Sequence, residues 1–417
     1  MAERYDLGVI GGGPAGYTAA LNAKAQGQSV ILFEKDKLGG VCLNRGCIPT
    51  KAILHSAEVF EDLKCAENLG ISVGADFSVD YSKVIEYKDK VVEKVRKALE
   101  LTIKNSGIKV VYAQAKPNIA DGKVSGVIAD GEVYECDKVI MAVGSSPREL
   151  PALRFDHEFV LSSDDILKLS KLPKSIAIIG SGAIGIEWAR IFSAFGTEVT
   201  IIEAAEHLLP IADVEVSKRI ERIFKAKKIK MYLLNSVEKV ENNTLYLSSG
   251  EAINPECVLL AIGRVPNEKD NIDGITYLGD VCGEIQLAHY AIKQAIDKVC
   301  GVKFETDLVP SVVYGNPEIA WIGKREQDLE EGTYKKSMML ISALGKSHCD
   351  NSTDGFIKLL SCDGYIVGAH IVSKEASSLI QQVVIAMQNR VSIDKLKEVC
   401  FAHPTYSEGI FECLFRL

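Results

Sequence analysis

The chain has 417 residues, with 48 basic against 56 acidic side chains for a net charge of −8, and 47% of its residues are hydrophobic. That length suits two or three domains of roughly 100–200 residues each. The acidic balance, without any block of like charges, argues against a nucleic-acid partner, because phosphate binding needs a clustered basic face. Eleven cysteines are too few for a disulfide framework and odd in number, and no uncharged apolar run approaches the ~20 residues of a membrane span.

An apolar strand, Asp6 to Ile10, begins a few residues after Met1. It leaves no room for a signal peptide and predicts a cytoplasmic protein with mostly reduced thiols. The strand runs into Gly11-Gly12-Gly13-Pro14-Ala15-Gly16, a helical stretch follows, and a second strand, Val30 to Phe33, ends on Glu34. In such a unit the first glycine allows a tight turn and the second lets backbone approach a pyrophosphate. The third lets helix and strand pack closely, and the free N–H groups of the helix start meet the phosphates. The acid at the end of the second strand is placed to accept ribose hydroxyls.

Next come Gly39-Gly40-Val41-Cys42-Leu43-Asn44-Arg45-Gly46-Cys47-Ile48-Pro49-Thr50-Lys51 and a helical pattern around Val84 to Ile103. In a regular helix Cys42 and Cys47 would stand about 8–9 Å apart at Cα, beyond the ~7 Å reach of a disulfide. Gly46 and Pro49 permit an irregular turn that could bring them together. Zinc is a competing reading, although no second Cys or His pair lies at ligand spacing, and two unrelated buried thiols are a third. An apolar strand from Lys138 to Val143 then closes on Gly144 as the last strand of the first unit.

The first unit recurs. Gly11, Gly13, Gly16 and Glu34 return as Gly180, Gly182, Gly185 and Glu203, each displaced by 169 positions (180 − 11). The strands Ser175 to Ile179 and Val199 to Ile202 flank the second set, and Cys257 to Ile262 closes on Gly263. Acid and closing glycine are 110 positions apart in the first unit (144 − 34) and 60 in the second (263 − 203), so the first carries an insertion. Glu203 favours NAD over NADP, because a carboxylate accepts from a free 2′-hydroxyl but repels a 2′-phosphate, and Ala204 to Asp213 offers no Arg or Lys. Beyond it come Gly279-Asp280, a helix from about Leu287, and from Val309 a β-rich pattern (Phe356 to Leu360, Tyr365 to Val372) alternating with helices near Ser377 to Met387 and Ile393 to Val399. That reads as a separate α+β domain.

The run from Gly39 to Lys51 closely resembles the redox-active disulfide motif of the class I pyridine nucleotide–disulfide oxidoreductases. His403-Pro404-Thr405-Tyr406-Ser407-Glu408 resembles that family's acid–base motif. Gly279-Asp280, Leu287-Ala288-His289 and the stretch from Val312 to Ala320 extend the resemblance over nearly the whole chain, which looks most like the dihydrolipoyl dehydrogenase branch. The resemblance implies an α/β fold of two Rossmann-like FAD/NAD(P)-binding domains plus an α+β dimerisation domain. Residues 1–145 would bind FAD, with 265–305 returning to them as a shortened central segment; 146–264 would bind NAD, and 306–417 would form the interface.

It further implies that Cys42 exchanges with a dithiol substrate, Cys47 passes electrons to the flavin, and His403 from the other subunit of a homodimer acts as base, oriented by Glu408. Lys51 would stand by the flavin, paired with Glu187. Asp280 would bind a ribityl hydroxyl, and amides near Ala288 would meet the flavin carbonyl edge; from the residues alone, Lys51 and Glu187 would pass for surface charges and Asp280 for a turn residue. Ala115 and Gly144 also go with FAD, and Val237 and Gly263 with NAD. The implied partners are lipoyl domains of 2-oxo acid dehydrogenase or glycine cleavage complexes, with no metal, nucleic acid or membrane.

Two departures stand out. Only 15 residues (279 − 263 − 1) separate Gly263 from Gly279, where relatives carry a longer segment, and the second unit is lean after Ser236. Ala343-Leu344-Gly345-Lys346-Ser347 replaces an Asn-Ser-Arg stretch. The same fold acting on another disulfide or on a metal ion is the alternative enzyme reading, although only Cys413 lies in the last ten residues, where mercuric reductase-like chains carry a cysteine pair. A non-enzymatic scaffold is the other class, and the joint presence of Cys42, Cys47 and His403 speaks against it.

Overall fold

The computed structural model describes residues 3–74, 77–267 and 272–417. Strand β1 (Arg4–Ile10), helix α1 (Pro14–Ala25) and β2 (Val30–Phe33) are followed by α2 (Gly40–Arg45), α3 (Cys47–Lys64) and α4 (Tyr81–Asn105). Then come β3 (Lys109–Val111), β4 (Ala115–Ala120), β5 (Lys123–Ala129) and β6 (Glu132–Met141). The helix α4 starts a turn before Val84 because Asp80 caps it, accepting from the Lys83 N–H. The strands are ordered β3-β2-β1-β6-β5-β4, parallel through β6 and antiparallel beyond it. All four residues of β2 are buried because both sheet faces are covered. Val30 and Leu32 pack with Ala19 and Ala23 of α1, while Ile31 and Phe33 face Val127 and Met141.

The chain continues through β7 (Ser145–Pro147), β8 (Val160–Leu161), β9 (Ser175–Ile179), α5 (Ala183–Ala194), β10 (Glu198–Ile202) and α6 (Val214–Ala226). It then forms β11 (Lys230–Tyr232), β12 (Val237–Glu241), β13 (Thr244–Leu247), β14 (Ala252–Ile253) and β15 (Cys257–Leu260). A parallel sheet ordered β11-β10-β9-β15-β8 repeats the first unit, beside a small antiparallel sheet β12-β13-β14. Trp188 and Phe192 of α5 share a core with Ile53 and Leu54 of α3. Side chains buried this completely contribute about 1.5–3 kcal/mol each, so the two units are held together where the cysteine helix meets α5.

After the second unit, β16 (Arg264–Pro266) pairs antiparallel with β7, and β17 (Ile275–Tyr277) pairs in parallel with β6. Helix α7 (Ala288–Cys300) packs Ala291 and Ala295 into the core that α1 forms. The strand ending at Gly144 is therefore not the last of its sheet. The ten residues of β6 fork, with Glu132 to Glu135 pairing with β5 and Val139 to Met141 with β17. The shortened stretch after Gly263 thus still supplies two strands; its residues 268–271 lie outside the described residues.

The remainder is an antiparallel sheet ordered β18-β19-β22-β21-β20, built from β18 (Ser311–Val313), β19 (Glu318–Gly323), β20 (Lys335–Leu340), β21 (Phe356–Cys362) and β22 (Tyr365–Ser373). The short α8 (Gly345–Cys349) occupies the Ala343 to Ser347 region, followed later by α9 (Ala376–Gln388), α10 (Ile393–Lys397) and α11 (Glu408–Phe415). Leu359 and Ile371 of the sheet pack with Leu379, Ile380, Tyr406 and Leu414. Trp321, Phe356 and Val372 instead join the core of the second unit.

Candidate active site

Helix α1 follows directly on Gly13 and α5 on Gly182; neither has a side-chain cap or an acid in its first turn. Their leading N–H groups and the positive end of each helix are left for an anion. The two acids organise these loops. Glu34 accepts from the Gly12 N–H at 2.8 Å and the Asp36 N–H at 2.9 Å. Glu203 accepts from the Ser181 N–H at 2.8 Å, its hydroxyl at 2.6 Å and the Ala205 N–H at 2.8 Å. A carboxylate oxygen has two lone pairs, so each acid keeps acceptor capacity toward a ribose. Close packing sets the third glycine of each loop: a Cβ on Gly16 would lie 1.8 Å from the Gly11 carbonyl oxygen, and one on Gly185 would lie 2.2 Å from that of Gly180.

Cys42 sits in α2 and Cys47 opens α3, with the helix interrupted at Gly46 (φ −142°, ψ −110°). This break brings the two half-buried thiols against each other. The pair rests on the first glycine loop. Gly39 donates its N–H to the Gly12 carbonyl at 2.8 Å, and Gly40, at φ +59°, has its Cα so close to Gly13 that a Cβ would fall 2.6 Å from that residue's Cα. No larger residue fits there.

The thiols are electrically unequal. The hydrogen bond to Cys47, with burial added, pushes the Cys42 thiol up. The same bond, seen from the other side and helped by the Lys51 cation, holds Cys47 below the ordinary thiol range against burial. Of the two, Cys47 is the more readily ionised. Lys51 Nζ is bound by both Glu187 oxygens, at 2.9 and 2.8 Å. Burial works against its charge, yet the carboxylate prevails and keeps it above the ordinary lysine range.

Ser145 donates its hydroxyl to Asp280 at 2.6 Å and accepts from Arg264 Nε at 2.8 Å, while Arg264 Nη2 donates to the Ser145 carbonyl at 2.6 Å. Asp280 is thereby tied to the junction of β7 and β16. The Gly279 N–H donates to Gln294 of α7 at 2.7 Å, and Ala288 is the first residue of that helix. Gly144 and Gly263 follow β6 and β15, and their carbonyls accept from Asn267 and Arg148 at 3.0 and 3.1 Å. Ala115 opens β4 and Val237 opens β12, and both serve as strand positions.

His403 precedes Pro404 through a cis peptide bond. Its Nδ1 is 2.7 Å from Glu408 Oε1, and Glu408 Oε2 accepts from the Thr405 N–H at 2.9 Å. These bonds hold the Glu408 carboxyl below its usual range, the His403 contact contributing most. With 77% of its side chain exposed, His403 points away from its own chain's core.

Tyr314, Ser145, Arg264 and Arg190 are site neighbours that the sequence motifs do not single out. Tyr314 lies inside the stretch from Val312 to Ala320 and Arg264 directly follows a closing glycine, so position along the motifs was the available signal. Among the described residues no group of three or more His, Cys, Asp or Glu is placed to hold a metal ion. No helix among them is long and apolar enough to cross a membrane.

Residues 5–274 match the family model described as pyridine nucleotide-disulphide oxidoreductase, and residues 309–413 match the dimerisation domain of the same family. The chain belongs to the pyridine nucleotide-disulphide oxidoreductase family. It is similar to a dihydrolipoyl dehydrogenase of Bacillus subtilis (strain 168), at 34% identity over 98% of this chain and 97% of the relative. A dihydrolipoyl dehydrogenase of Chlamydia pneumoniae is 32% identical over 98% and 96%. Among solved structures, LpdA from Mycobacterium tuberculosis matches with a TM-score of 0.90 at 23% identity, covering 99% of both chains. The Cu(II) complex of the HOCl-induced flavoprotein disulfide reductase RclA from Escherichia coli matches at 0.85 and 25%, covering 100% of both. As a family member the chain is an oxidoreductase that uses FAD and NAD, and its dimerisation domain supports a homodimer. The B. subtilis alignment runs to 447 positions while this chain has 417 residues, so the alignment opens gaps in this chain.

Proposed function

We propose that the chain is a dihydrolipoyl dehydrogenase, oxidising dihydrolipoyl groups on the lipoyl domains of 2-oxo acid dehydrogenase or glycine cleavage complexes and delivering the electrons to NAD. The observation that carries this reading is the unequal thiol pair, seated on the first glycine loop with the Lys51–Glu187 ion pair beside it. Residues 1–145 and 265–305 are assigned to FAD, a reading supported by the packing of β17 and α7 on the first sheet. Residues 146–264 are assigned to NAD and 306–417 to the dimer interface.

The residues fit the two nucleotides. Gly11, Gly13 and Gly16 with the bare start of α1 would take the FAD pyrophosphate, Glu34 its adenosine ribose, and Asp280 a ribityl hydroxyl. Gly180, Gly182, Gly185 and Glu203 would take NAD in the same manner. Once bound, flavin and nicotinamide supply the successive two-electron acceptors that restore the enzyme's disulfide.

The chain's own residues handle sulfur and protons. With the pair oxidised, His403 of the second copy takes a proton from one substrate thiol, and that thiolate attacks the Cys42 sulfur. The Cys42–Cys47 bond breaks, and Cys47 leaves as the thiolate that the Lys51 cation stabilises. The second substrate thiol then attacks the mixed disulfide, closing the lipoyl ring and returning a thiol to Cys42. Glu408 keeps the imidazole oriented and its cation stabilised through the transfer.

A cytoplasmic location goes with this reading, since an exchange pair and a cysteine count too low for a disulfide framework suit a compartment that keeps thiols reduced; cell fractionation checks it. The decisive assay compares dihydrolipoamide with NAD against oxidised glutathione with NADPH. Turnover with the first pair is expected, and turnover with the second alone would discard the substrate assignment.

A further inference from the structure

The charge that the exchange chemistry leaves unused is Arg190. It lies on α5 one turn beyond Glu187 and is 4% exposed. Its Nη1 donates to the Tyr314 carbonyl at 2.9 Å, and its Nε and Nη2 are buried without a hydrogen-bond partner among the described residues. The N–H of the same Tyr314 donates to Glu187 Oε1 at 3.1 Å. Helix α5 therefore grips both backbone polar groups of Tyr314, whose ring centre lies 4.6 Å from Lys51 Nζ.

Room for the guanidinium comes from Gly315. Its φ is +134°, and a Cβ there would fall 2.3 Å from Arg190 Nη1 and 2.6 Å from Cδ. Burial pulls the guanidinium down to about 10, while Glu187, Glu58, Glu61 and Glu318 act to keep it charged. A buried guanidinium with idle donors is expensive to keep, which argues that the contact it does make matters.

We infer that Arg190 and the Tyr314-Gly315 turn are positioning residues for Lys51, fixing its ammonium beside Cys47 and thereby setting how readily Cys47 becomes a thiolate. A lysine ammonium on a four-carbon stem is mobile unless restrained. Here Glu187 restrains it from one side and the Tyr314 ring from another, and Arg190 holds the turn that anchors both. Besides Lys51 of α3, the groups acting on or sensing Cys47 are Cys42 of α2, Glu187 of α5, Tyr17 of α1, Arg264 of β16 and Tyr314 after β18. This inference rests on the proposed reading of Cys42 and Cys47 as the working pair.

The test uses the FAD-loaded enzyme in a Cys42→Ser background, so that one thiol of the pair titrates, and follows alkylation of Cys47 by iodoacetamide against pH through its peptide mass. Arg190→Met and Gly315→Ala are each expected to raise the midpoint by about half a pH unit, roughly a threefold loss of thiolate below it. Arg190→Lys should recover much of the shift. In a Lys51→Met background, Arg190→Met should add none, because the effect passes through Lys51. An unchanged midpoint in Arg190→Met, or an equal shift with and without Lys51, would overturn the inference. If Arg190→Met does not fold, Gly315→Ala, which keeps every charge, decides the matter by the same midpoint. No lipoyl substrate is involved, so a failed dihydrolipoamide assay leaves this readout standing, whereas a Cys47 that titrates as an ordinary thiol in the parent sinks the pair's assignment and this inference together.

Discussion

At the scale of single residues, the eleven cysteines divide by environment. Burial pushes Cys136 and Cys413 up to about 11 and Cys257 up to about 12, whereas Cys65, Cys349 and Cys400 are exposed. Since the thiolate is the nucleophile, a thiol near 11 has roughly one molecule in a thousand reactive at pH 8. Brief alkylation of the native protein at pH 8 should therefore label Cys65, Cys349 and Cys400 and spare Cys136, Cys257 and Cys413, as peptide mapping would reveal. Cys47→Ser removes the leaving thiolate. It should abolish dithiol oxidation while FAD content, read from absorbance, stays at the parent level; full turnover would reject the sulfur chemistry. Spacing alone marked Cys42 and Cys47 but left three readings open, because only the helix break at Gly46 decides whether two thiols meet.

At the scale of elements, a buried ionic joint ties α6 to the last sheet. Lys358 of β21 and Asp213, the cap of α6, are 2% and 1% exposed and 2.8 Å apart. Asp213 also accepts from the Glu215 and Glu326 N–H groups, and Lys358 reaches Glu326 at 2.5 Å. Removing one partner of a buried pair strands the other, so Lys358→Met should destabilise the fold by about 3–5 kcal/mol. Adding Asp213→Asn keeps a capping oxygen and should return much of that loss, which denaturant titration of the two variants would measure. Although burial opposes it, hydrogen bonds from Lys336, Lys358 and Tyr334 hold the Glu326 carboxyl down to about 2, from an ordinary 4.5. A depressed carboxyl contributes stability above its unfolded value and loses it as pH falls through the folded one. Stability should thus decline between pH 4.5 and 2, and less steeply in Lys358→Met. Nothing in the sequence marked this joint, because Asp213 and Lys358 lie 145 positions apart in unrelated elements.

At the scale of the whole molecule, His403 is exposed and bonded to Glu408 within its own chain, while the dimerisation domain match supports a homodimer. If the histidine serves the neighbouring copy's cysteines, inactive Cys47→Ser and His403→Ala chains should complement. A heterodimer then has one intact site of two, and half of randomly reassorted dimers are heterodimers, giving roughly a quarter of parental activity. Unfolding the variants together, refolding with FAD and assaying the mixture checks this; no recovered activity would place the histidine in its own chain's site.

The sequence by itself determined the two strand–glycine–helix units, the acids that close them and the thiol pair inserted in the first. These are local patterns, fixed by which residues can turn tightly, approach a phosphate or exchange a disulfide. Only the tertiary structure decided that β6 forks to receive β17, that Lys358 and Asp213 meet in a buried ion pair, and that Arg190 passes over Gly315 to hold Tyr314. Each of these joins residues far apart in the chain, where periodicity and spacing carry no signal and the outcome rests on which buried charge finds which partner.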